Sequence, residues 1–202
     1  FPGEEEAGET VTIMVGRQGS TRMTMSSMVP SKSTGEFIAR RIMAYLKECG
    51  HEFTDVVMKS DQEPAIMAIL DEVARLRGSI HHMKTVREYS KLYSSQSNGI
   101  VERAVQSVEG MMRSMRSALE ERLGIRWNSS HPVWAWLTEY ASYLMNRLEV
   151  SHDGRTAYER SKGKKARVAG LEFGESLLWK RKPAGGGMGK LQCLWSDGVF
   201  LG

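Results

Sequence analysis

Cysteine is scarce in this chain of 202 residues: only Cys49 and Cys193 occur. Two thiols make no disulfide framework and fit a reducing, intracellular compartment. The five histidines (His51, His81, His82, His131 and His152) have no paired Cys-x-x-C beside them, which argues against a structural zinc site. No run approaches the roughly 18 uncharged apolar residues of a membrane span. A charged-then-apolar signal segment, an internal repeat and an extended low-complexity tract are also missing. What is present is ordinary for a folded domain: 41% hydrophobic residues, 26% charged residues and a mean hydropathy of −0.39, which exclude wholesale disorder and a collagen-like chain. The chain opens on Phe1 without Met and stops at Phe200-Leu201-Gly202 inside a strand-like run, so it reads as a fragment of something longer.

The net charge of +4 is unevenly spread. Residues 1–150 hold 18 Lys and Arg against 19 Asp and Glu, whereas 151–202 hold 10 against 5. A near-neutral body with a basic tail predicts a tail that touches a polyanion, although charge alone fits a solvated surface equally well. The expected division is 1–150 and 151–202.

Hydrophobic spacing supplies the elements. Residues 11–15 and 21–29 read as strands of a hairpin, the second alternating through Met23 and Met25, with a turn signal at 16–20. The acidic turn at 3–9 implies a further strand before the hairpin. Ser33 or Thr34 can cap a helix that carries Phe37, Ile38, Ile42, Tyr45 and Leu46 and stops at Gly50. Residues 54–58 predict a short buried strand. Pro64 opens a helix with the stripe Ile66, Ile69, Leu70, Val73 and Leu76, closed by Gly78, and 80–86 reads as the next strand. Val101, Val105, Val108, Met112, Met115 and Leu119 recur at intervals of 4, 3, 4, 3 and 4, the longest amphipathic stripe in the chain. Residues 132–148 form an aromatic-rich helix with Trp134, Trp136, Tyr140 and Tyr143. Short strand-like runs at 176–180, 191–195 and 199–201 follow, and Trp179 and Trp195 are expected in the core of that small β unit. The sum is a mixed α/β core with helices against a sheet.

Two acids stand where chemistry is placed in such folds. Asp61 follows the strand ending at Ser60, at the carboxyl edge used by open α/β sheets, although Asp is also a favoured helix cap. Glu102 lies in the expected first turn of the long helix, where the positive helix end favours a carboxylate. It shares a face with Gln106, Glu109, Arg113 and Arg116, a face that spacing alone assigns equally to solvent.

The context of these acids resembles the catalytic core of retroviral and LTR-retrotransposon integrases. Lys59-Ser60-Asp61-Gln62-Glu63 follows an apolar strand, and Gln96-Ser97-Asn98-Gly99-Ile100-Val101-Glu102 matches the family's Gln-Ser-x-Gly-x-x-Glu element. The 40 residues between Asp61 and Glu102 exceed the family's commonest spacing, in keeping with a longer loop around 87–91. Asp153-Gly154-Arg155-Thr156-Ala157-Tyr158-Glu159-Arg160 and Gly163-Lys164-Lys165 resemble the segment after the core in copia-type elements. The resemblance spans about residues 11–165.

It implies a ribonuclease-H-like mixed sheet flanked by helices, its first strand truncated, with a small basic β extension. It implies DNA integration: strand transfer of retrotransposon DNA ends into target DNA, dependent on Mg²⁺ or Mn²⁺, by a homo-oligomer acting in the nucleus, with no membrane partner. Asp61 and Glu102 are then catalytic, metal-binding carboxylates. Gln96, Asn98, Arg103, Gln106, Arg113, Arg116, Lys164 and Lys165 are nucleic-acid contacts. The family's first acid has no counterpart, since no Asp precedes Asp55. The alternative is a catalytically inactive, integrase-like nucleic-acid-binding module.

Overall fold

The computed structural model describes residues 11–29, 36–89, 95–128, 130–180 and 193–202, the side chains of 95–98 excepted. In chain order the elements are β1 (Thr12–Arg17), β2 (Thr24–Val29), α1 (Glu36–Glu48), β3 (Val56–Ser60), α2 (Pro64–His81), β4 (Thr85–Tyr89), α3 (Ser95–Leu123), α4 (Val133–Leu148), α5 (Ala157–Lys162), β5 (Ser176–Lys180) and β6 (Trp195–Val199). The architecture is mixed α/β, and the described strands form no closed barrel. Among the described residues no helix is long and apolar enough to cross a membrane.

The described strands make three separate pairs. β1 and β2 are antiparallel, with Met14 opposite Ser27; β3 and β4 are parallel, with Met58 opposite Arg87; β5 and β6 are antiparallel, with Trp179 opposite Ser196. The first two pairs share a core nonetheless. Met14, Met25 and Val29 from the hairpin and Val56 and Met58 from β3 all pack on Ile38, Ile42 and Leu46 of α1 and Ile69, Val73 and Leu76 of α2. No ladder joins these pairs among the described residues.

Side chains close the outer edge of β2 in place of another strand. Asn146 of α4 accepts the Thr24 N–H at 2.8 Å and returns its own N–H to the Thr24 carbonyl at 2.7 Å, occupying both outward backbone groups. Ser26 Oγ donates to the Thr138 carbonyl at 2.5 Å, and the small, buried Ser26 and Ser27 let α4 lie close to the strand. An edge covered in this way offers no template for pairing with another chain.

α2 runs past Gly78 to His81, where His82 takes a left-handed conformation (φ 56°) and its N–H bonds the Arg77 carbonyl. The expected glycine stop and the strand at 80–86 are therefore corrected: the last turn of α2 takes 79–81, and β4 begins at Thr85. The cause lies one residue before Gly78. Arg77, 1% exposed, donates to Thr85 Oγ1 at 3.0 Å and to the His51 and Thr54 carbonyls at 2.9 and 2.5 Å, pinning this end of α2 to the chain entering β3 and β4. Three bonds from a buried guanidinium outweigh the roughly 1 kcal/mol that glycine costs inside a helix.

On the other face of the hairpin, α3 packs against β1 and α4. Its stripe is buried as the spacing predicts at Val108 and Leu119, with Met112 and Met115 reaching the second core of Trp134, Leu137, Tyr140 and Phe173. Phe200 meets Tyr140 edge-on at 5.6 Å, joining the C-terminal ribbon to this core. Trp179 and Trp195 do not enter it: they stand 49% and 52% exposed, because a two-stranded ribbon has no second layer to cover them. Trp179 lies instead across Gly198, where a Cβ would come within 2.9 Å of the indole.

Candidate functional site

Asp61 leaves the carboxyl end of β3 into a bend before α2 and is exposed. Ser60 Oγ donates to its backbone carbonyl at 2.9 Å. The capping role open to it in the sequence belongs elsewhere: the N-cap of α2 is Glu63, which has extended geometry and makes no side-chain cap bond, and Pro64 takes the first turn. The Asp61 carboxylate has no hydrogen-bond or ion-pair partner among the described residues, so both oxygens are available to a ligand.

Glu102 is exposed on α3, and its carboxylate is likewise uncommitted among the described residues. Its expected place in the first helical turn is corrected. α3 starts at Ser95, so Gln96, Asn98 and Gly99 are helical and Glu102 stands almost two turns in. The helix passes through Gly99 instead of starting after it. Two turns from the end, the field of the helix N-terminus is largely spent, and it contributes little at Glu102.

The register places the two acids relative to the sheet. Ser60 is opposite Tyr89, so β3 and β4 finish side by side, Asp61 emerging from one and the chain toward α3 from the other. No bond joins Asp61 to Glu102, and among the described residues no three His, Cys, Asp or Glu side chains gather to hold a metal ion. What the pair offers is two exposed, hard carboxylate donors, the ligand type that Mg²⁺ and Mn²⁺ take alongside water and phosphate oxygens.

The side chains of Gln96 and Asn98 lie outside the described residues. Arg103 and Gln106 are exposed, Arg103 donating back to the Gly99 carbonyl at 3.3 Å. Arg113 faces solvent with Glu109 at 3.7 Å, an exposed pair that leaves the guanidinium free to exchange partners. Arg116 is differently placed. It donates to Glu120 at 2.9 Å and its guanidinium stands 5.3 Å from the centre of the Trp134 ring, so it is engaged within the fold. Burial opposes ionisation of Glu120, but the bonds from Arg116 and the Trp127 N–H prevail and hold its carboxyl below the ordinary value. Lys164 and Lys165 are exposed just after Gly163 ends α5.

The segment before those lysines has a structural chemistry of its own. Thr156 and Glu159 form a reciprocal capping box at the start of α5. Hydrogen bonds from Arg160, at 2.6 and 2.8 Å, hold the Asp153 carboxyl well below the usual carboxylate range. Sequence reasoning did not single out Arg147, whose guanidinium lies 3.7 Å from the Tyr143 ring centre and 4.9 Å from that of Tyr158, tying α4 to α5. The only signal was an arginine one turn after a tyrosine.

No protein-family model and no curated protein matches this sequence. Among solved structures, a chain in the cryo-electron microscopy structure of a simian T-cell lymphotropic virus intasome in complex with the PP2A regulatory subunit B56 gamma is similar to it. The TM-score is 0.55 at 13% sequence identity, and the match covers 94% of this chain and 61% of that one. The fold is integrase-like. The likeness at 13% identity concerns architecture alone.

Proposed function

We propose that this chain is the catalytic core of a retrotransposon integrase of the copia type, joining element DNA ends to target DNA. The observation that carries the reading is the Asp61 carboxylate: exposed, unpaired among the described residues and released from helix capping, at the carboxyl end of a strand in an integrase-like fold. Glu102 supports it as a second uncommitted acid on the helix that the chain enters after β4.

In this reading Asp61 and Glu102 hold Mg²⁺ or Mn²⁺. When bound, the ions make a 3′-hydroxyl or water a better nucleophile and stabilise the leaving oxygen of the phosphodiester. The protein's own part is to hold the acids in register with the DNA. Arg103, Gln106 and Arg113 project from the Glu102 side of α3 toward phosphates and sugars, contacts that position without reading sequence. Gln96 and Asn98 belong to the same approach. Arg116, engaged with Glu120 and Trp134, sets the helix more than it grips DNA. Lys164 and Lys165 add sequence-independent affinity that falls with salt. The ribonuclease-H-like sheet is completed by a strand between β1 and β3, which also brings the family's first acid. The protein works as a homo-oligomer on nuclear DNA.

A second reading, an integrase-like module that binds nucleic acid without cutting or joining it, is favoured by one observation. No Asp precedes Asp55, so the family's first acid has no counterpart in the sequence. Strand transfer on labelled duplex ends in Mg²⁺ or Mn²⁺ decides between them. The catalytic reading expects joined product, and a loss of at least about 10²-fold in Asp61→Asn and in Glu102→Gln, the scale of removing one charge-stabilising group from an active site. DNA binding without product, unchanged by either substitution, supports the binding module.

A further inference from the structure

The hairpin turn leads to a different site. Arg17 ends β1 and Arg22 stands in the turn, held by Gln18 N–H to Met23 O at 2.8 Å and Arg22 N–H to Gln18 O at 3.1 Å. Together with Thr24, Asn146, Glu149 and Ser151 they line a small polar recess between the hairpin, the end of α4 and the chain after it. Most polar groups there are already satisfied: Thr24 and Asn146 bond each other, and the Thr24 hydroxyl donates to the Arg22 carbonyl at 3.1 Å. Nearby Arg160 is neutralised by Asp153. The two arginines are not. Arg17 Nε is buried without a hydrogen-bond partner, and neither Arg17 nor Arg22 forms an ion pair among the described residues.

A buried guanidinium N–H without an acceptor is costly, and a second cation beside it adds repulsion. Burial first, then Arg22 and Arg160, weaken the hold of Arg17 on its proton, while Glu149 acts in the opposite sense. Glu149 lines the recess but makes no ion pair with Arg17 and is exposed at the end of α4, free to turn outward. We propose that Arg17 and Arg22 form a binding site for a single phosphate group, one oxygen entering the recess to accept from Arg17 while Arg22 closes on the others. A guanidinium fork matches the oxygens of phosphate, and the small recess admits an oxyanion edge better than a bulky ligand.

This site is separate from Asp61. The Gln18 side chain bonds the ring of His51 at 2.6 Å, and that ring bonds Thr54 at 3.1 Å, just before β3 begins, whereas Asp61 follows its far end. The five residues of β3 put about 16 Å of strand between the two places. The phosphate is either free in solution or part of a nucleic-acid backbone; the recognition chemistry is the same.

The test uses the whole chain. Thermal unfolding is followed in sodium phosphate against sodium chloride at matched ionic strength, and binding of a short DNA duplex is measured across a salt series. Phosphate is expected to raise the melting temperature above the chloride control. Arg22→Gln is expected to weaken phosphate about tenfold, the loss of one charge-assisted bond, and Glu149→Gln to strengthen it. If the source is nucleic acid, Arg22→Gln also lowers duplex affinity and reduces the salt slope by about one; duplex binding unchanged with phosphate binding lost assigns the site to the free anion. No phosphate effect beyond chloride, or one equally strong in Arg22→Gln, overturns the site. A lower melting temperature in Glu149→Gln with no phosphate gain also overturns it, since Glu149 is then the ordinary partner of Arg17.

Discussion

Replacing Asn146 is a severe test of how the hairpin is held. Its amide satisfies both the N–H and the carbonyl of Thr24, at 2.8 and 2.7 Å, in a place where Asn146 is 5% and Thr24 3% exposed. Asn146→Ala leaves both backbone groups buried without partners. At about 1–3 kcal/mol for each, the loss is about 2–6 kcal/mol, toward the lower end if water enters the vacated space. Such a loss takes a large share of the 5–15 kcal/mol typical of a domain. Asn146→Asp sharpens the test. The new carboxylate still accepts from the Thr24 N–H but repels its carbonyl, so the carboxyl's folded pKa is raised above its unfolded value. Protonated, it donates to that carbonyl. The variant therefore has its full bond set below the unfolded carboxyl pKa and loses stability as pH rises through the folded one. Urea unfolding between pH 4 and pH 8 measures both effects. A loss under about 1 kcal/mol in the alanine variant, or no added pH dependence in the aspartate variant, refutes the pairing.

Two further predictions concern titratable groups. Arg160 depresses the folded pKa of Asp153 below the ordinary 3.8, so their pairing stabilises the protein above the unfolded value and is lost as pH falls through the folded one. Asp153→Asn should flatten the decline of melting temperature with pH below about 4, and an unchanged slope contradicts the pairing. Burial raises the Cys49 thiol to about 11, while Cys193 is exposed. At pH 8 iodoacetamide should therefore label Cys193 well before Cys49, as peptide mapping will show, and equal rates contradict the burial.

The sequence announced the helices better than what joins them. The stripes of α1, α2, α3 and α4 are legible because burial on one side imposes the helical period, and Val108, Leu119, Ile42 and Val73 are buried as that period requires. Misreadings arise where a distant side chain overrides a local signal. Gly78 looks like a helix stop, but Arg77 anchors the turn to residues 51, 54 and 85 and carries α2 onward. Gly99 looks like the bend before the long helix, yet α3 includes it. Trp179 and Trp195 look like core and stand exposed, since burying them takes a layer that two strands do not supply.

At the candidate site, the position of Asp61 after a strand is local and legible, whereas its freedom from capping depends on which residue starts α2, and that proves to be Glu63. Arg116 shares the helical face of Glu102 in sequence, but Trp134 and Glu120, which engage it, come from packing and from the same helix one turn on. Asn146 is a polar residue on the buried side of α4. Only the position of Thr24 in space explains it.

Paramagnetic broadening of backbone amides by Mn²⁺ tests the proposal that Asp61 and Glu102 serve one ion site. Signals around both residues are expected to broaden over the same range of Mn²⁺, and Asp61→Asn is expected to abolish the broadening at Glu102 as well as its own. Broadening at one acid alone, or at Glu102 undiminished by Asp61→Asn, contradicts it.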